Sequence, residues 1–115
     1  MAITVFGIPN CDTVKKARVF LAEQGHEAHF HDFRKQGLER AQIESWLTQQ
    51  PMDVLLNKRG TSWRKLSEAE KDKTDTAHLI DLMLANPTLI KRPVIERDGA
   101  VSVGFGKDVQ ASFQA

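Results

Sequence analysis

One cysteine, Cys11, stands among 115 residues. That scarcity excludes an internal disulfide and any disulfide framework. A chain without disulfides suits a reducing compartment, so a cytoplasmic location is expected. A surplus of one charge sign is missing as well: sixteen Lys and Arg face fifteen Asp and Glu, for a net charge of +1. Bulk affinity for nucleic acid needs a clear basic excess, and nucleic acid is not an expected partner. No apolar run approaches the length of a membrane span. The start, Met1-Ala2-Ile3-Thr4-Val5-Phe6, lacks the cationic region that opens a secretory signal, so no membrane partner is expected either. Repeats, low-complexity tracts and Ser/Gly linkers are also absent. The remaining balance, 41% hydrophobic and 27% charged residues, fits one domain over residues 1–115, expected as a monomer.

The patterning alternates between two periods. Ala2 to Phe6 is apolar and partly β-branched and is closed by Gly7-Ile8-Pro9-Asn10, which predicts a buried strand. From Cys11 to about Gln24 the period becomes helical, with Val14, Ala17 and Leu21 on one face and Gly25 as a stop. Glu27 to Phe33 alternates again and predicts a second strand. A helical middle follows: Ile43, Trp46 and Leu47 form an apolar set closed by Pro51, and Met52 to Leu56 add a turn. Next comes a basic loop, "NKRGTSWRK". Ser67-Glu68-Ala69-Glu70 reads as a capping box, and Asp75 to Ala85 as a helix with Leu79, Leu82 and Met83 inward. "PVIERDGAVSV" places Asp98-Gly99 between two apolar runs, a strong two-residue hairpin signal. Lys107 to Phe113 suits a final helix. The order strand, helix, strand, helical insert, hairpin, helix predicts a mixed α/β fold.

Cys11 lies where a strand gives way to a helix. The first amides of a helix lack internal partners and carry partial positive charge, which favours an anionic sulfur there. Lys15, one turn on, brings its ammonium to the same face; Lys16 and Arg18 add a weaker field. Asp12 opposes this but can point into water. Two readings of Cys11 stay open: a reactive thiolate, or a small buried hydrophobe, as free cysteine often is. Val14 occupies the third position after Cys11, so a C-x-x-C pair is absent. Any disulfide chemistry must then be completed by a thiol from another molecule.

Other features carry less. Arg92-Pro93 opens the hairpin, where a loop could face the start of the first helix or simply be an exposed turn. Lys58, Arg59, Arg64 and Lys65 around Trp63 form a solvated basic loop or an anion or partner site. His26, His29, His31 and Asp32 lack recognisable ligand spacing, and no metal site is expected.

Three segments, "TVFGIPNCDTVKKA", "LLNKRGTSWRKL" and "LIKRPVI", resemble the arsenate reductase (ArsC) and Spx family, particularly its YffB branch, in order and at matching spacing over nearly the whole chain. The resemblance implies a thioredoxin-like fold with a mixed sheet and a helical insertion between the second and third strands, over about 38–86. It implies that Cys11 is the nucleophile, that Pro93 follows a cis peptide bond beside it, and that Arg92 approaches the sulfur and binds an oxyanion or carboxylate.

Glutathione is then the expected cosubstrate and resolving thiol, acting on a disulfide or oxidised substrate, with no permanently bound cofactor. Asn10, the backbone at Thr13 and Val14, Arg59 and the segment at Pro93 would hold it, while Lys15 and Arg92 assist Cys11. Against the family pattern, Asn57 and Phe105 stand where glutathione-linked arsenate reductases carry two further arginines, which disfavours tight arsenate binding. Spx-type regulators usually carry C-x-x-C, and Val14 removes it. The expected activity is a glutathione-dependent thiol reductase; the alternatives are a non-enzymatic Spx-like regulator of a protein partner, or arsenate reduction.

Overall fold

The structure, a computed structural model, describes residues 3–114; Ala2, the expected first residue of the opening strand, lies outside them. The chain forms two compact units. One comprises Met1–Gln36 and Arg92–Ala115, the other is the inserted segment Gly37–Lys91.

The first unit is built on a four-stranded mixed sheet. Strand β1 (Ile3–Gly7) leads into helix α1 (Asp12–Glu23) and then β2 (Ala28–Asp32); β3 (Val94–Arg97) and β4 (Ala100–Val103) precede helix α7 (Lys107–Ser112). The sheet order is β2-β1-β3-β4. Strand β1 pairs parallel with β2 and antiparallel with β3. A parallel neighbour needs a crossover, and α1 supplies it. Val14, Ala17 and Leu21 of α1 have no exposed surface, which is why an otherwise polar segment is helical. They share a core with Ile3 and Val5 of β1, Ile95 of β3 and Phe113 after α7. Phe113 is held in place by its surroundings: its carbonyl lies 2.8 Å from His26 Nε2, and Arg97 stacks on its ring at 5.3 Å. The expected hairpin is present, with positive φ at both Asp98 (51°) and Gly99 (85°).

The inserted unit contains α2 (Arg40–Leu47), α3 (Met52–Leu55), α4 (Thr61–Arg64), α5 (Glu68–Asp72) and α6 (Thr76–Ala85), then a 3₁₀ turn over Pro87–Leu89. Ile43 and Trp46 of α2 and Met83 of α6 are fully buried, and α2 packs on α6. Pro51 does not close α2, as the sequence suggested. The helix ends at Leu47, its last turn finished by the Thr48 hydroxyl donating to the Ser45 carbonyl at 2.6 Å, and Pro51 precedes α3. The basic segment expected as a loop contains the short helix α4, tied down by a 2.6 Å bond between Ser62 Oγ and Thr88 Oγ1. The capping box at α5 is present. The Ser67 amide donates to Glu70 Oε1 at 3.0 Å and the Glu70 amide to Ser67 Oγ at 3.2 Å. The Ser67 amide, followed by its hydroxyl, holds the Glu70 carboxyl below its ordinary range.

Candidate active site

Strand register decides which residues meet at the end of the sheet in the first unit. Gly7 pairs with Asp32 and Phe6 with Val94, which in turn pairs with Val103. The C-terminal ends of β1, β2 and β4 and the N-terminal end of β3 therefore share one edge. The chain leaves β1 there through Ile8–Cys11 and enters β3 there through Arg92-Pro93. Two segments more than eighty residues apart in sequence thus arrive at one place.

Cys11 is half-buried. Its backbone is extended (φ −100°, ψ 123°), making it the cap before α1 and not the first helical residue. Its amide reaches the Ile8 carbonyl at 3.4 Å, and its carbonyl accepts from the Lys15 amide at 3.0 Å. Thr13 and Val14 are the second and third helical positions, whose amides a cap side chain ordinarily reaches; the Cys11 side chain makes no such bond here. The sulfur-bearing residue packs against the Ile3–Phe113 core, as do Phe20 and Phe105, whose rings meet edge-on at 5.4 Å.

The other expected residues divide clearly. Val14 is sealed in the core, so only its backbone is available to a ligand. Asn10, Thr13 and Lys15 are exposed; Lys15 and Thr13 line a groove of about 610 Å³ with Lys16, Phe20 and Phe105. The Arg92–Pro93 peptide is cis. Arg92 is half-buried, its Nε shielded from solvent. Pro93 is buried and has no N–H, and its carbonyl already accepts from the Gly104 amide at 2.8 Å. Backbone pairing expected of this segment therefore falls on its neighbours. Arg59 belongs to the inserted unit, where it lines a cleft of about 600 Å³ with Asn57, Lys58 and Lys91; its amide donates to Asn57 Oδ1 at 3.0 Å. Among the described residues, no three of His, Cys, Asp and Glu are grouped as metal ligands, and no helix is long and apolar enough to cross a membrane. His31 stacks against Phe6 at 4.9 Å.

Sequence reasoning passed over Arg34 and Lys35. They follow β2 after the buried Phe33, and the register brings them to the edge that holds Cys11. The available signal was Asp32 two and three residues before them, a spacing at which a carboxylate folds a turn onto its own chain.

The approach of α1 to the sheet depends on Gly7. A Cβ there would sit 2.7 Å from Val14 Cγ2 and 3.3 Å from Cγ1. Valine is stiff about χ1 and cannot swing aside. Gly7→Ala is expected to cost about 1–3 kcal/mol in chemical denaturation and to slow alkylation of Cys11, because α1 must move. An unchanged midpoint would show that the contact gives without strain.

A four-stranded mixed sheet, a cysteine capping the first helix and a cis proline opening the third strand define an ArsC-type arrangement. The model of the ArsC family matches residues 6–113, and the chain belongs to that family. Its fold is thioredoxin-like, with the helical insertion between β2 and β3. The solved structure of a YffB protein is 42% identical, with a TM-score of 0.92 over 98% of this chain and 99% of that one. An arsenate reductase (ArsC) related protein from Brucella melitensis is 44% identical, with a TM-score of 0.77 over 97% and 93%. The global transcriptional regulator Spx of Streptococcus pyogenes is 30% identical over 96% of this chain and 84% of its own.

Proposed function

We propose that this protein is a glutathione-dependent thiol–disulfide oxidoreductase that uses Cys11 alone. The observation that carries the reading is the position of the chain's single cysteine. Half-buried at the start of α1, it shares one sheet edge with the cis Arg92–Pro93 segment. A thiolate there attacks the glutathione sulfur of a mixed disulfide R–S–S–G. The Cys11–glutathione disulfide forms, and R–S⁻ leaves and takes a proton. The thiolate of a second glutathione then attacks that glutathione sulfur, releasing glutathione disulfide and restoring the Cys11 thiolate. The second thiol must come from outside because the chain has no other cysteine. Lys15 and Arg92 supply positive charge to the reacting sulfurs, and Asn10, the amides of Thr13 and Val14 and the Pro93 segment hold glutathione. The net reaction suits the reducing cytoplasm.

Turnover of a glutathione mixed disulfide, coupled to reduction of the glutathione disulfide produced, tests the reading. Wild type is expected to turn over, and Cys11→Ser to fall to the uncatalysed rate. Equal rates would reject the enzyme.

A second reading has one observation behind it: the likeness to Spx covers nearly the whole chain. It makes the protein a regulator that binds a protein partner without turnover. Val14, buried where a C-x-x-C pair would need its second thiol, removes a thiol switch but leaves binding open. Arsenate reduction is disfavoured, since Asn57 and Phe105 offer no cation to an oxyanion.

A further inference from the structure

The turn after β2 and the segment before Cys11 line a cationic cleft, whose two cations the reaction above does not use. Pro9, Asn10, Asp32, Arg34 and Lys35 line about 390 Å³ of open space. Asn10 immediately precedes Cys11, so one wall of the cleft is the segment that leads into the nucleophile. It is held firmly. Phe33 is fully buried, and its amide donates to the Gly7 carbonyl at 3.1 Å. Asp32 Oδ1 accepts from the Arg34 amide at 3.0 Å and from the Lys35 amide at 3.3 Å. The Gln36 amide closes the turn on the Asp32 carbonyl at 2.8 Å.

These bonds engage the one carboxylate in the cleft with the backbone of its own turn. Arg34 and Lys35 are both exposed and form no ion pair among the described residues. Two cations on a fixed turn, one of them able to grip a carboxylate with two parallel N–H bonds, face solvent beside the nucleophile.

Resting on the thiol–disulfide reading, we infer that Arg34 and Lys35 select disulfides bearing a carboxylate near the sulfur, holding that group in the Pro9–Lys35 cleft while Cys11 reacts. Asp12 beside Cys11 and Asp32 in the cleft oppose an anion. Lys15, Lys16 and Arg92 favour one, so the selectivity must be read as a change caused by Arg34 and Lys35 alone.

The test compares single-turnover rates of Cys11 with three symmetrical disulfides: anionic dithiobis(nitrobenzoate), neutral dithiodipyridine and cationic cystamine. In each case the Cys11 thiolate forms a mixed disulfide and expels one thiolate of the reagent. The readout is the anionic-to-cationic rate ratio, from which the intrinsic reactivity of Cys11 cancels. Reversing both charges, Arg34→Glu with Lys35→Glu, is expected to lower that ratio at least about tenfold at low salt, and by less at high salt. The neutral reagent should be nearly unaffected. Lys73→Glu with Lys107→Glu makes the same change in net charge at two exposed residues that do not line the cleft, and is expected to leave the ratio in place. Arg34→Ala with Lys35→Ala, which removes the cations without adding anions, should lower it by a smaller factor.

A carboxylate can arrive on the substrate or on glutathione itself. Resolution of the adduct by glutathione and by the cationic thiol cysteamine separates the two. Loss of anion preference in the first step assigns the cleft to the substrate half, and loss in the second assigns it to glutathione. A ratio unchanged in both steps, or shifted equally by the Lys73 and Lys107 reversals, overturns the inference. Failure of glutathione turnover is a different result, seen with Cys11→Ser and wild type alike.

Discussion

Trp46→Ala is expected to remove about 3–5 kcal/mol of stability, the range for deleting a large buried aromatic side chain. The indole has no exposed surface, and Ile43, one turn before it on α2, has none either. Together they form the apolar stripe of an eight-residue helix whose remaining residues are mostly polar. A helix that short has little stability of its own, so it exists because this stripe is buried. Helix α6 provides an apolar surface, with Leu79, Ile80, Leu82 and Met83 all buried. At the margin of the pair, Arg40 of α2 bonds to Asp81 and to the Ala77 carbonyl of α6. Those polar contacts are exposed and contribute little. Removing the indole leaves a cavity that a backbone held on both sides cannot close. With an unfolding slope near 2 kcal/mol/M, the urea midpoint falls by roughly 1.5–2.5 M. A fall under about 0.3 M, well inside one lost methylene, would mean that the ring is not a core residue.

The same helices show where sequence reading reaches and where it stops. The stripes Ile43/Trp46 and Leu79/Leu82/Met83, the α1 face and the Ser67–Glu70 box were legible because each is a local pattern of three to five residues. The Asp98-Gly99 turn was legible for the same reason: positive φ at two successive positions selects few residues. Sheet order was not legible from patterning. Strand β1 lies inside the sheet, parallel to β2 about 25 residues on and antiparallel to β3 about ninety residues on, and no local pattern encodes either pairing. The β1–β2 register is what brings Arg34 and Lys35 to the edge that holds Cys11, so they were missed although their sequence was in plain view. Helix α4 was missed because its stabilising bond, Ser62 to Thr88, also joins distant residues. The cis bond at Pro93 came only with the family resemblance, since no local pattern marks it.

Arg92→Ala is expected to lower kcat/KM for a glutathione mixed disulfide by about 10²-fold, the lower end of what losing one oriented donor to a developing anion costs. Arg92 directly precedes the cis bond and β3, at the edge where β1 runs into Cys11. It is half-buried, and partial burial strengthens its field at a nearby anion over that of the exposed Lys16 or Arg18. Its planar fork also suits a carboxylate, so glutathione binding should weaken along with the chemical step. Arg92→Lys keeps the charge without the fork. It should restore most of kcat while the KM for glutathione stays raised, a split that a general loss of folding would not produce. Arg18→Ala serves as the control: its guanidinium stacks 4.2 Å above the Phe30 ring, and its loss should change kcat/KM less than about twofold. Retention of full activity by Arg92→Ala, with the urea midpoint unchanged, would remove Arg92 from the proposed assistance to Cys11 and leave Lys15 of α1 as the next group to test.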